Sequence, residues 1–226
     1  MTTTGALQSV PFSRELGDAL AQPGADAMKV AEEIFALSDL VKTDARLRRA
    51  LTDPSRNAED KTQLAHSLFD AHMSAPGLQV LEALVSAHWT KPENLHEAAE
   101  VLGILAVLTD ALRAGALEEV NDELFETRRF LAAERELRLT LSDMSTGTPH
   151  ERANLATRLF SERLSRWSMR LLRRAVGRSR HGRLLNNLRR FAEWAATLQN
   201  KLLVTVESAV DMTPEQVTRL RRLLEQ

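Results

Sequence analysis

The side chains that could do chemistry are few and scattered. His66 and Asp70 stand four residues apart, with His72 close behind. That spacing puts the first pair on one helix face, where imidazole and carboxylate could share a metal ion. With no second histidine-rich segment to complete a ligand set, ordinary surface placement is the better reading. Asp53 and Asp143 precede Pro54 and Met144 at helix ends, where turn and cap roles outweigh acid–base catalysis. Trp89, Trp167 and Trp194 read as core or interface anchors, because no aromatic residues alternate with the arginines as a base-stacking platform would require. There is no phosphate-cradling glycine loop, no H-E-x-x-H and no G-x-S-x-G. Gly147 lies in Ser145-Thr146-Gly147-Thr148-Pro149, a loop leading into a helix. The absence of cysteine removes thiol catalysis, disulfides and thiolate zinc sites, and suits a reducing compartment.

The one concentration of chemistry is charge. From Arg152 to Arg190 there are twelve arginines, no lysine, and Glu162 as the sole acid. Upstream, Glu118, Glu119, Asp122, Glu123 and Glu126 form an acidic cluster. Such faces can pack on each other, dock on partners, or simply be solvated. Arginine without lysine favours bidentate carboxylate binding over mere solubility. The net charge of -1 over 226 residues argues against a general polyanion binder. A nucleic-acid-binding helical protein, using these arginines on phosphates, is the rival class, and a helical scaffold of some other complex is a third.

The elements that position these groups are predicted to be helices. Apolar residues recur three or four apart, Ala and Leu abound, and Gly and Pro fall between segments. The pattern predicts helices over 12–21, 28–41, 45–51, 58–69, 76–87, 95–113, 117–133, 134–141, 149–160, 166–176 and 184–198. No run reaches the ~18 apolar residues of a membrane-spanning helix. Met1 to Val10 lacks the basic and apolar regions of a signal peptide.

The order repeats. At an offset of 90, Glu33, Phe35, Leu47, Arg48, Leu51, Asp53 and Ser55 meet Glu123, Phe125, Leu137, Arg138, Leu141, Asp143 and Ser145. One inserted residue shifts the offset to 91, and Leu64, Ala65, Leu68 and Phe69 then meet Leu155, Ala156, Leu159 and Phe160. Eleven identities over the 37 positions from Glu33 to Phe69 point to a duplicated helical unit.

The character changes after Asn200. Leu202 to Ala209 is β-branched and partly alternating, and predicts a strand. Thr213, Pro214 and Gln216 then spell a capping box opening a helix with Val217, Leu220, Leu223 and Leu224 on its apolar side. The expected fold is mainly α: two tandem helical-bundle units, 1–113 and 114–200, followed by a truncated α/β C-terminal region, 201–226.

Two segments carry a family resemblance. One is Leu47-Arg48-Arg49-Ala50-Leu51-Thr52-Asp53-Pro54-Ser55, with Lys61 and Leu64 following. The other, more specific, is Val204-Thr205-Val206-Glu207-Ser208-Ala209-Val210-Asp211-Met212-Thr213-Pro214-Glu215-Gln216. With these the chain resembles the δ subunit of F-type ATP synthase, the family that includes the mitochondrial oligomycin-sensitivity-conferring protein. Asp122-Glu123-Leu124-Phe125 and the second helical copy look like the longer actinobacterial members, in which the helical region is duplicated. Family members continue into further strands with Val-Asp-Pro and Gly-Gly segments, hence the expectation of a truncated last region.

The resemblance implies a non-catalytic stator subunit without cofactor or metal. It would join the α/β head to the subunit b stalk, on the cytoplasmic face of a bacterial plasma membrane. It implies a groove between the first and fifth helices for α-subunit N-terminal helices, with Phe12, Leu16, Leu20, Leu81, Leu84 and Val85 as candidates. It would place Val204, Val206, Val217 and Leu220 near subunit b. Charge alone nominates Arg170, Arg173 and Arg174 for docking on acidic surfaces of α or b.

Overall fold

The computed structural model describes residues 10–143, 145, 147–178, 183–199, 213, 215–216 and 218–219. Eleven helices follow one another among them: α1 (Ser13–Leu20), α2 (Ala27–Thr43), α3 (Ala45–Thr52), α4 (Ala58–Phe69), α5 (Ala75–Ser86), α6 (Asn94–Arg113), α7 (Leu117–Ala133), α8 (Arg135–Ser142), α9 (Pro149–Phe160), α10 (Arg166–Arg178) and α11 (Leu184–Leu198). Each coincides with an expected segment to within a residue or two. The expected strand over 202–209 lies outside the described residues. The cap expected beyond it is present: the Thr213 N–H donates to Gln216 Oε1 at 2.9 Å, and the Gln216 N–H donates to Thr213 Oγ1 at 3.3 Å.

Local chemistry sets the helix starts. Helices leave their first N–H groups without intrahelical partners, and short polar side chains take them up. Asp26 accepts from Lys29, Asp44 from Arg46 and Leu47, and Asn57 from Asp60. The two N–H donors, first Leu47 and then Arg46, hold the Asp44 carboxyl below its ordinary value. Thr148 and Glu151 form a complete capping box at α9. Gly24 and Gly115 separate consecutive helices at φ 77 and 71, a conformation that L side chains resist.

The same devices recur in both halves of the chain. Arg48 folds back to donate to Val41 and Lys42 carbonyls at the end of α2, and Arg138 does the same to Leu131 and Ala132 at the end of α7. The Glu33 carboxylate accepts the N–H (2.9 Å) and hydroxyl (2.8 Å) of Ser74, ahead of α5. Glu123 accepts the N–H (2.8 Å) and hydroxyl (2.6 Å) of Ser165, ahead of α10. Asp53 takes the N–H and hydroxyl of Ser55, and Asp143 those of Ser145. These are turn-forming roles, as the sequence suggested for both aspartates.

Helix α6 ties the halves together. It packs on α1, α2 and α5 on one side, and on α7, α10 and α11 on the other. Leu102, Gly103, Ile104, Leu105, Ala106, Val107 and Leu108 are all buried in succession, as befits a helix covered all round. A single buried cluster runs from Leu16 to Leu198. Where α2 crosses α6, Gly103 admits the Phe35 ring; a Cβ at this position would lie 2.5 Å from Phe35 Cε1. Phe35 is 1% exposed, with the guanidinium groups of Arg170 and Arg174 over its ring. Gly103→Val should therefore lower the unfolding free energy by about 2–3 kcal/mol, read from urea denaturation, despite the poor intrinsic helix propensity of the glycine it replaces.

Candidate functional site

The arginine-rich segment has its structural explanation in α10. Arg166, Arg170 and Arg174 are spaced by four residues and so form one stripe along the helix. That stripe faces α2 and α6. Arg166 Nη2 donates to Asp110 Oδ2 at 3.0 Å, and the neighbouring Trp167 indole donates to the same oxygen at 2.7 Å. Arg170 pairs with Glu32, its Nη2 lying 2.7 Å from Oε2. Arg174 reaches both Asp39 (Nη1 to Oδ2, 2.6 Å) and Glu100 (Nε to Oε1, 2.8 Å). The guanidinium groups of Arg170 and Arg174 lie 4.5 and 4.4 Å from the centroid of the Phe35 ring. Cation–π contact and bidentate pairing thus act on the same two side chains.

Arg174 is buried, at 8% exposure. Burial disfavours its charge, but the carboxylates of Glu100 and Asp39 outweigh this and raise the group above its ordinary value. Arg173 points elsewhere, donating to Thr157 Oγ1 at 2.6 Å. The three arginines nominated for docking on acidic surfaces of α or b are therefore engaged within the chain. Glu32, Asp39 and Glu100, and Asp110 opposite Arg166, escaped the sequence reading, which offered the Glu118–Glu126 cluster as the acidic counterpart. The four-residue spacing of the arginines was the available signal.

The candidate groove residues divide. Leu81, Leu84 and Val85 are core. Leu16 and Leu20 are also largely buried, but with Phe12 they border a cleft of about 660 Å³. Its opposite wall is α6, through Leu105, Thr109 and Leu112, while α1 also packs on α5. Phe12 is half-buried, its ring 5.6 Å from that of Trp89. Its backbone is left-handed (φ 63), a strained conformation for an aromatic residue and one that tends to gather at functional sites. Val204, Val206, Val217 and Leu220 lie outside the described residues.

His66 is engaged by two carboxylates, with Nδ1 2.6 Å from Asp70 Oδ1 and Nε2 2.8 Å from Glu82 Oε1. It links α4 to α5. The Asp70 hydrogen bond raises the imidazole above its ordinary value, against a smaller desolvation penalty and with help from Glu82. Trp89 donates to the Leu84 carbonyl, and Trp194 stacks on Phe191 with Arg190 over its ring. Among the described residues no helix is long and apolar enough to cross a membrane.

Comparison with known proteins agrees with the family resemblance. A family model described as ATP synthase delta (OSCP) subunit matches residues 105–226. A protein of Kineococcus radiotolerans named ATP synthase subunit delta is 37% identical over 91% of this chain and 74% of its own length. Proteins of the same name from Frankia alni and Streptomyces avermitilis are 36% and 33% identical, covering 86% and 97% of this chain and 70% and 81% of their own.

Two outcomes follow from this geometry. Arg174→Ala should cost about 3 kcal/mol in urea denaturation, because it removes a buried guanidinium from the largely buried Glu100 carboxylate and from the Phe35 ring. Arg170→Ala, whose carboxylate partner is half exposed, should cost no more than about 1 kcal/mol. For His66 the sign follows from a folded-state value raised above the unfolded one. Its contribution is fully present below the ordinary imidazole range and is lost as pH rises through the folded-state value. The stability difference between the native chain and His66→Gln should be largest in mild acid and shrink towards alkaline pH.

Proposed function

Because this chain belongs to the ATP synthase delta (OSCP) subunit family, we propose that it works as a passive mechanical joint in that enzyme's peripheral stalk. The family places it in the F-type ATP synthase as a peripheral-stalk subunit. The observation that carries this is identity of 33–37% to proteins named ATP synthase subunit delta over most of the chain. A stator subunit must hold while the rotor turns. Large packed interfaces with slow dissociation do this; reactive groups do not. Buried charged side chains fit such a role, since Lys61 ties α4 to the end of α5 and Arg174 ties α10 to α2 and α6.

In the finer reading the subunit is non-catalytic and links the α/β head to subunit b at the cytoplasmic face of a bacterial plasma membrane. The recurrent devices of the two halves support two tandem copies of one unit, 1–113 and 114–200, with 201–226 opening an α/β region. Val204, Val206, Val217 and Leu220 would sit near subunit b. The N-terminal helix of an α subunit would dock beside α1. The cleft between α1 and α6 supports this, having apolar walls and a strained aromatic at its mouth.

The alternative of a nucleic-acid binder is not favoured, because Arg166, Arg170 and Arg174 of α10 already have carboxylate partners. A tagged chain should pull down head and stalk subunits from detergent-solubilised membranes, and failure to retain either would refute the joint. A peptide of the α-subunit N-terminus should bind the intact chain in isothermal titration. Phe12→Ala should weaken it about tenfold, the cost of removing one aromatic anchor.

A further inference from the structure

The two halves differ at one place that packing makes conspicuous. In the first half, the face of α2 carrying Glu32, Phe35 and Asp39 is covered by the arginine stripe of α10, and Phe35 is 1% exposed. The equivalent face in the second half is on α7, where Glu123 repeats the Glu33 contact and so fixes the register. There Asp122 stands at the place of Glu32 and Phe125 at that of Phe35. Among the described residues no guanidinium lies over Phe125, which is 36% exposed.

We propose that this α7 face is a docking site for a basic amphipathic helix of a partner protein, seated on Phe125 as α10 is seated on Phe35. The chain itself supplies the template for the occupant. Arginines one turn apart flank an aromatic ring and pair with the carboxylates beside it. Charge selects the same chemistry on α7. Glu119, Asp122 and Glu126 are all exposed; of the nearby cations, Arg129 lies 2.6 Å from Glu126, Arg128 is half-buried, and Arg163 lines the recess beside Asp122 and Glu126. Elsewhere on α7, Phe130 is 42% exposed and borders a recess of about 510 Å³ lined also by Asp122, Glu126, Phe160 and Leu164. A second copy of this chain does not fit. The helix equivalent to α10 is α5, and at the stripe positions it carries Ala75, Gln79 and Ala83. This site is separate from the α1–α6 cleft.

The test uses the intact chain and a synthetic peptide of residues 164–177, which carries the arginine stripe. The peptide should bind saturably, and Phe125→Ala and Asp122→Lys should each weaken it about tenfold. A peptide with the arginines at 170 and 174 changed to glutamine should not bind. Both protein substitutions are at exposed positions, so an unchanged thermal melt is expected. A benzophenone side chain at position 125 should crosslink to the peptide, a readout that needs no loss-of-binding variant. An α-subunit N-terminal peptide should not compete, which keeps this outcome separate from the stalk reading. Absence of saturable binding, or binding undiminished by both substitutions and without crosslinking at 125, would overturn the proposal.

Discussion

The structure depends on one brace, the contact of Arg174 with Asp39, Glu100 and the face of Phe35. Its three partners come from α2 and α6, whereas Arg174 comes from α10 in the other half of the chain. A guanidinium out of water is costly unless every donor is matched by a carboxylate in the right plane. Two acids on two helices provide the match only in one relative placement of α2, α6 and α10. Arg170 on Glu32 and Arg166 on Asp110 extend the same requirement along the helix. An apolar seam of equal size would avoid the desolvation cost. It would also tolerate sliding. A slip of α10 by a fraction of a turn would move the guanidinium off the Asp39–Glu100 carboxylate pair, so the brace resists small displacements where leucines would not, although a full-turn slip would bring Arg170 to the same pair.

Comparison of the halves separates what a helical unit needs internally from what joins units. Arg48 and Arg138, Glu33 and Glu123, and Asp53 and Asp143 make the same bonds to the same groups. These bonds satisfy backbone groups at helix ends, a demand every copy of the fold faces. The positions that diverge face outward from a unit. Asp39 has Arg129 as its counterpart, and the arginine stripe of α10 has Ala75, Gln79 and Ala83. Only the second half carries the stripe and only the first half receives it. The joint is therefore directional, with α6 as the element common to both sides.

The helices were legible because their signals are local. Pro23-Gly24, Pro54, Pro92 and Gly115 punctuate periodic apolar runs, and Asp44, Asn57 and Thr148 announce the starts that follow. The arginine stripe was visible as composition, but its partners were not. Glu32 and Asp39 lie more than a hundred positions away, and nothing local distinguishes them from exposed acids such as Glu119, Asp122 and Glu126. The groove candidates Phe12, Leu16 and Leu20 came from the family resemblance, because apolar periodicity cannot say which neighbour closes a helix face. The fifth helix was expected as the opposite wall; α1 packs on both α5 and α6, and the cleft bordered by Phe12 has α6 as its other wall.

Stiffness is the property that links this packing to a stalk. A bundle yields where helices can roll or slide, so resistance grows with the number of helices that share one core and with the specificity of their register. Here α6 is buried nearly all round, which removes rolling, and Gly103 lets Phe35 of α2 lie against it without a gap. The brace at Arg174 resists small sliding displacements. Neither device is catalytic, and both would be wasted on a flexible linker between independently moving domains. Two helical halves locked through one shared helix form a longer rigid lever than either alone, and such a lever can carry load between well-separated contacts on a stationary assembly.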